Sequence, residues 1–199
     1  KGISLNDIVV LYRTNAQSRN IEEAFLRENI PYKVIGSFYF YNRKEIKDLI
    51  AYLKLIYNTS DDISLMRVIN SPKRGIGAKT VENLTLKAAD NKLSIFDVID
   101  SGKELKFKEL ILKLQKESEN LSLTELVDLV LELSGLKQEL ESEGSLESEA
   151  RIENLEEFKS ITKSFEEKNG IISLGEFLSE ISLVSDIEEH KDRDDVVTL

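Results

Sequence analysis

Hydrophobic positions along most of this chain recur at helical spacing. Ile46, Leu49, Ile50, Leu53, Ile56 and Tyr57 fall at i, i+3, i+4 and i+7, so they line one side of a helix. Leu123, Leu126, Val127, Val130 and Leu131 repeat the pattern, and Leu174, Phe177, Leu178 and Ile181 repeat it again. Glycine and serine interrupt the helical stretches near Ser101-Gly102, Ser134-Gly135, Gly144-Ser145 and Asn169-Gly170, which predicts breaks there. Three helix starts carry a serine with a carboxylate three residues on, a pair that satisfies free amide donors reciprocally: Ser94 with Asp97, Ser122 with Glu125, and Ser173 with Glu176.

Only the two ends read as β. Ile8-Val9-Val10-Leu11 is an unbroken aliphatic run, the pattern of a strand buried on both faces. The polar stretch Tyr12-Arg13-Thr14-Asn15 follows, then a helical pattern with Ile21, Ala24 and Phe25 on one face. Pro31 stops that helix, and Tyr32-Lys33-Val34-Ile35 reads as a second strand ended by Gly36. Strand, helix and strand this short predict a βαβ unit, hence a parallel pair with a right-handed crossover. Val196-Val197-Thr198-Leu199 is a third strand-like run. The fold class is therefore mainly α with a small α/β part, a helical module inserted between strands of one parallel sheet. No repeat at a fixed period is visible.

Composition narrows the function classes. The chain has 199 residues, enough for one large domain or two small ones, and 41% are hydrophobic, enough for a real core. Cysteine is absent, which excludes disulfides, thiol nucleophiles and cysteine-ligated metals. The single histidine, His190, excludes a site built on two imidazoles and reads as a solvated loop residue. No apolar run approaches the roughly 20 residues of a membrane span. The sole methionine is Met66, so Lys1 is not a native start, and an excerpt from a longer cytoplasmic protein is expected.

The 27 basic and 37 acidic residues leave a net charge of −10, which argues against nucleic-acid binding by the surface as a whole. The charge is uneven, however. Residues 65–92 hold six basic side chains against two acidic ones, a local +4, whereas residues 138–157 hold eight glutamates against Arg151, a local −7. A basic patch on an acidic body remains a polyanion site.

The sharpest local signal lies inside that patch, at Asn70-Ser71-Pro72-Lys73-Arg74-Gly75-Ile76-Gly77-Ala78-Lys79-Thr80. Pro72 ends the preceding helix. Gly75 and Gly77 predict a tight turn with positive φ and no β-carbon between a ligand and the backbone. A second helix starting near Ala78 offers free N–H groups at its positive end, ringed by Lys73, Arg74 and Lys79. This is the pattern of a helix-hairpin-helix that grips a DNA phosphate without reading bases; the alternative is an ordinary turn between helices with solvated lysines. Tyr12-Arg13-Thr14-Asn15 sits at the carboxyl end of a parallel strand, where open α/β sheets place ligands, although Thr14 or Asn15 also suits a helix cap. Ser37-Phe38-Tyr39-Phe40-Tyr41-Asn42-Arg43 interleaves aromatics with charge, and reads as core filling before base stacking. Asp61-Asp62 and Asp194-Asp195 read as caps and linkers before metal ligands. No G-x-x-x-x-G-K nucleotide loop and no catalytic constellation occur.

Several blocks in a fixed order resemble the second motor domain of UvrD/Rep/PcrA-type superfamily-one DNA helicases. They are Asp7-Ile8-Val9-Val10-Leu11-Tyr12-Arg13-Thr14-Asn15-Ala16-Gln17-Ser18-Arg19, Asn29-Ile30-Pro31-Tyr32, the run Phe40 to Leu53, Arg67 to Gly77, and Ala150 to Phe158. The resemblance implies that residues 1–36 begin a RecA-like motor domain (2A). Residues 37–193 would then form a helical 2B-like insertion with its helix-hairpin-helix near 67–90, and 194–199 the return strand. It also implies an ATP-driven 3′→5′ helicase of repair and replication as the parent protein, using ATP and Mg²⁺ bound outside this chain, with neither held by the chain alone. Arg13, Thr14 and Asn15 match the segment that touches single-stranded DNA. Lys73, Arg74, Gly75, Ile76, Gly77, Lys79 and Thr80 match the segment that holds the duplex, and protein partners are expected at the insertion. The stretch between Gly102 and Gly144 is read from helical pattern alone. Two other readings stand beside this one: a helix-hairpin-helix repair glycosylase with Asp90 or Asp97 as its carboxylate, and an acidic helical protein-interaction module.

Overall fold

The structure is a computed structural model that describes residues 3–12, 21, 24–25, 28–33, 40–170, 173–189 and 196–199. The chain divides into two compact units, Lys1–Arg43 with Ser182–Leu199, and Lys44–Ile181.

In the first unit, β1 (Tyr32–Lys33) pairs in parallel with β2 (Val197–Thr198), Tyr32 opposite Val197 and Lys33 opposite Thr198. Thr198 also bridges Val9 in parallel, its N–H donating to the Ile8 carbonyl (3.0 Å) and its carbonyl accepting from Val10 N–H (2.8 Å). The last residues of the chain therefore lie between the first strand-like run and β1. The parallel pair expected from the βαβ pattern is not a direct one among the described residues, because β2 takes the backbone groups of both neighbours. Tyr32, Val197 and Leu199 form a small core on which Ile8, Val10, Ile21 and Phe25 pack. Burial of the first run on both faces is corrected: Ile8 and Val10 turn inward, while Val9 and Leu11 are 58% and 90% exposed. Alternation, not apolarity, is what the pleat imposes on a run covered on one side. Val34 to Gly36 lie outside the described residues.

The second unit is helical: α1 (Lys44–Tyr57), α2 (Asp62–Val68), α3 (Ala78–Asn91), α4 (Gly102–Ser118), α5 (Leu123–Ser134), α6 (Leu136–Glu143), α7 (Leu146–Asn169) and α8 (Leu174–Glu189), the last of which belongs to this unit as far as Ile181. Helix α1 is the centre, packed by α2, α4, α5 and α7. Ile46, Leu49, Leu53, Leu55 and Ile56 are at most 2% exposed, and Phe107, Ile111, Leu126, Val127, Val130 and Phe158 close around them. Two carboxylates are buried in α1 as well. Glu45 accepts from the Asn154 amide (2.6 Å), and Asp48 from the Arg67 guanidinium (2.8 Å) and the Ser71 hydroxyl (3.0 Å), so neither charge is left without a donor.

The breaks fall where glycine and serine placed them. Gly135 and Gly144 adopt positive φ between α5, α6 and α7, and Gly170 does so after α7. Ser122 with Glu125 forms a reciprocal cap on α5, and Ser173 with Glu176 makes the same two bonds before α8. Ser94 and Asp97 do bond each other (2.8 Å), but they close a turn and not a helix, a correction to the expected start there. Residues 95–99 instead tuck Ile95, Phe96, Val98 and Ile99 into the core, which leaves no run long enough for helical turns.

Candidate nucleic-acid interface

Asp61 caps α2 by accepting from Ser64 N–H (3.0 Å), and the helix ends at Val68. The chain then turns through residues 69–77 into α3. The turn is held by one side chain: Asn70 Oδ1 accepts from both Arg74 N–H (2.7 Å) and Ile76 N–H (3.1 Å). Ile76 is 3% exposed, so it anchors the turn in the core and meets no ligand with its side chain. Gly75 has φ +71°, a conformation that suits glycine. Gly77 does not share it, contrary to expectation. It stands at φ −83°, ψ 166° as the residue before α3, and a β-carbon there would find nothing within 4 Å. Its value lies in the open space above it. No side chain caps α3, and the N–H groups of Gly77, Ala78 and Lys79 have no acceptor among the described residues, leaving the positive end of that helix open.

Arg74 does not point toward that opening. Its Nη1 donates to the carbonyls of Val68 and Pro72 (both 3.1 Å), and its Nη2 to Tyr52 Oη (2.6 Å) and the Ser134 carbonyl (2.9 Å). The guanidinium also lies over the rings of Tyr52 and Phe107, 5.9 and 5.3 Å from their centroids. Tyr52 in turn donates to the Ser71 carbonyl (2.7 Å), which ties α1, α2, the turn and the end of α5 into one network. Burial pushes the Tyr52 phenol up to about 12, against the opposing pull of the Arg74 charge.

The basic patch therefore splits in two. Arg67 is paired with Asp48, Arg74 is turned inward, and Lys87 donates to the Val98 carbonyl (3.0 Å) and Asp100 (2.5 Å), whose carboxyl it holds below the usual range. Lys73, Lys79 and Lys92 are exposed and make no side-chain bond among the described residues. The fold adds a cation that the sequence reading did not include. A β-carbon built on Gly75 would stand 2.5 Å from Lys103 Nζ, so the ammonium of α4 lies against the turn. Thr80 sits in the first turn of α3, half-buried. An apolar groove lined by Met66, Ile69, Ile76, Val81 and Leu86 borders the same turn.

The other candidates disperse. Arg13, Thr14 and Asn15 lie outside the described residues, as do Ser37 to Tyr39, His190 and Asp194-Asp195. Phe40 packs edge-on against Tyr41 (5.3 Å) and under the Arg43 guanidinium (5.6 Å). Asp62 accepts from Ile95 N–H (2.8 Å). Among the described residues no group of three histidine, aspartate or glutamate side chains is placed to hold a metal ion, and no helix is long and apolar enough to cross a membrane.

The family model of the UvrD-like helicase C-terminal domain matches residues 1–199. The chain is 46% identical over 211 residues to the ATP-dependent DNA helicase PcrA of Staphylococcus aureus (strain Mu50 / ATCC 700699), a match covering 100% of this chain and 29% of that protein. It is 47% identical over 201 residues to the ATP-dependent DNA helicase PcrA of Staphylococcus epidermidis (strain ATCC 12228 / FDA PCI 1200), covering 94% of this chain and 28% of that protein. The chain thus spans less than a third of the length of these relatives. An all-α unit spliced into a parallel sheet, matched from end to end by that family model, places this chain in the family of UvrD-like helicases, as their C-terminal domain.

Proposed function

We propose that this chain is the DNA-holding part of an ATP-dependent 3′→5′ DNA helicase. Residues 1–36 and 194–199 are read as part of the second RecA-like motor domain (2A), and 37–193 as its 2B insertion. The turn between α2 and α3 is read as a helix-hairpin-helix that holds the backbone of the duplex ahead. The observation carrying this reading is the open N-terminus of α3, with nothing within 4 Å above Gly77 and exposed Lys73 and Lys79 beside it. A phosphate oxygen there accepts from backbone N–H groups that have no other acceptor among the described residues, and the helix dipole and lysine charge add long-range attraction. Such contacts hold DNA in register without selecting bases. Arg13, Thr14 and Asn15 are assigned to the single strand on their resemblance to the family's segment. ATP and Mg²⁺ belong to parts of the parent protein outside this chain, whose own sequence has no phosphate-cradling loop, so the chain alone turns over no ATP.

The test uses the full-length protein that carries this chain, with binding to a duplex–single-strand junction and to single-stranded DNA measured across a salt series. Gly77→Val should fold, because its backbone angles suit any residue, yet lose junction affinity because the side chain fills the space a phosphate needs. Arg13→Ala with Asn15→Ala should weaken single-strand binding alone. Normal junction binding by folded Gly77→Val would reduce the hairpin to a turn. Absence of DNA binding would favour the acidic protein-interaction reading, and base excision would favour the glycosylase, whose candidate Asp97 is bonded to Ser94 here.

A further inference from the structure

The turn contains one arginine, and a phosphate-binding loop invites the assumption that it is the phosphate ligand. The geometry points elsewhere. We propose that the cation this turn offers to a DNA phosphate is Lys103, supplied by α4, and that Arg74 is a positioning residue that holds the turn in shape. This rests on the duplex-holding reading above.

The two amino nitrogens of a guanidinium carry four N–H groups. In Arg74 they meet four acceptors: the carbonyls of Val68, Pro72 and Ser134 and the hydroxyl of Tyr52. Val68 and Ser134 are the last residues of α2 and α5, so the charge sits where two helix dipoles are negative. Swinging Arg74 out to a phosphate would strip all three carbonyls of this donor and uncover the faces of Tyr52 and Phe107. Held inward, the same side chain fixes both ends of the turn: its backbone N–H is clasped by Asn70, and its head reaches α1 and α5.

Lys103 has the opposite surroundings. It is exposed, makes no hydrogen bond or ion pair among the described residues, and lies with its ammonium against Gly75. A residue with a β-carbon at position 75 would displace it, so glycine there serves the approach of Lys103 as well as its own positive φ. A lysine lying against the turn backbone at Gly75 adds a third exposed ammonium to the segment that Lys73 and Lys79 flank in sequence. Each such contact releases a counterion from the DNA, which makes it countable.

The experiment is a salt titration of junction binding by the full-length protein, with single-stranded DNA measured in parallel. Lys103→Ala should lower the slope of log affinity against log salt by roughly 0.9, so that wild type loses about 3.5-fold more affinity than the variant between 50 and 200 mM salt. Lys103→Arg should restore the slope. Arg74→Gln should weaken junction binding at every salt concentration with the slope unchanged and single-strand binding intact, a split that general loss of structure would not produce. A slope unmoved by Lys103→Ala, or lowered by roughly 0.9 in Arg74→Gln, overturns the inference. If Arg74→Gln does not fold, the Lys103 pair decides alone. Lys79→Ala and Gly77→Val separate the two levels of the argument. If they weaken junction binding and Lys103→Ala does not, only the present inference fails, and if none of them does, the duplex-holding reading falls with it.

Discussion

Replacing Tyr52 by phenylalanine tests whether one buried hydroxyl holds the turn. The change removes a single oxygen and keeps the ring, whose centroid is 6.4 Å from that of Phe107, so no cavity large enough to matter is left. Two short bonds disappear, with a long third approach of the hydroxyl to the Val68 carbonyl (3.4 Å). One is the charge-assisted bond from Arg74 (2.6 Å) and the other the donation to the Ser71 carbonyl (2.7 Å). With roughly 1.5–3 kcal/mol for the first and about 1 for the second, less the partners that Arg74 keeps, the variant should be about 2–3 kcal/mol less stable. The phenol adds a pH signature. Its pKa is raised to about 12 from 10.0, chiefly by burial, so the unfolded chain ionises first as pH rises. The wild-type lead is therefore complete below pH 10 and shrinks between pH 10 and 12, by up to about 3 kcal/mol. Urea unfolding followed by helical circular dichroism, wild type against Tyr52→Phe at pH 8 and pH 11, reads both quantities, and the difference between the two proteins cancels lysine titration. A lead below about 0.5 kcal/mol at pH 8, or one that does not shrink by pH 11, refutes the network as described.

The two glycines of the turn should respond differently: Gly75→Ala should cost about 1–2 kcal/mol from its positive φ, whereas Gly77→Ala should leave the unfolding midpoint unchanged. Ser122→Ala should remove about 1 kcal/mol by opening the cap on α5. Because bonds from Ser122 lower the pKa of Glu125 from 4.5, the cap should act fully above about that pH and fade as acid titrates the carboxylate, which urea midpoints between pH 3 and 6 would show.

Much of this molecule is written in local patterns. Helix α1 follows from the spacing of Ile46 to Ile56, and the ends of α5 and α6 from Gly135 and Gly144, because a 3.6-residue period and a positive φ are properties of a few consecutive residues. Only part of the candidate site is legible in the same way. The open end of α3 follows from the chain around Gly75 and Gly77, but which of those two glycines carries the strained angle depended on how Asn70 and Ile76 pinned the turn. Charge was the least legible quantity. Six basic residues in a row of twenty-eight look alike on paper, yet acceptors contributed by α1, α5 and residues 98–100 took up three of them, and turned Arg74 inward. Lys103 reached the turn from α4, a neighbour only in space. Likewise the aliphatic run at Ile8 to Leu11 could not say which side would be covered, since that is decided by Tyr32, Val197 and Leu199, brought together from opposite ends of the sequence. Periodicity and turn chemistry are short-range and survive in a string of residues, whereas the direction of a long charged side chain is set by whichever unsatisfied carbonyls and rings the packed structure puts within its reach.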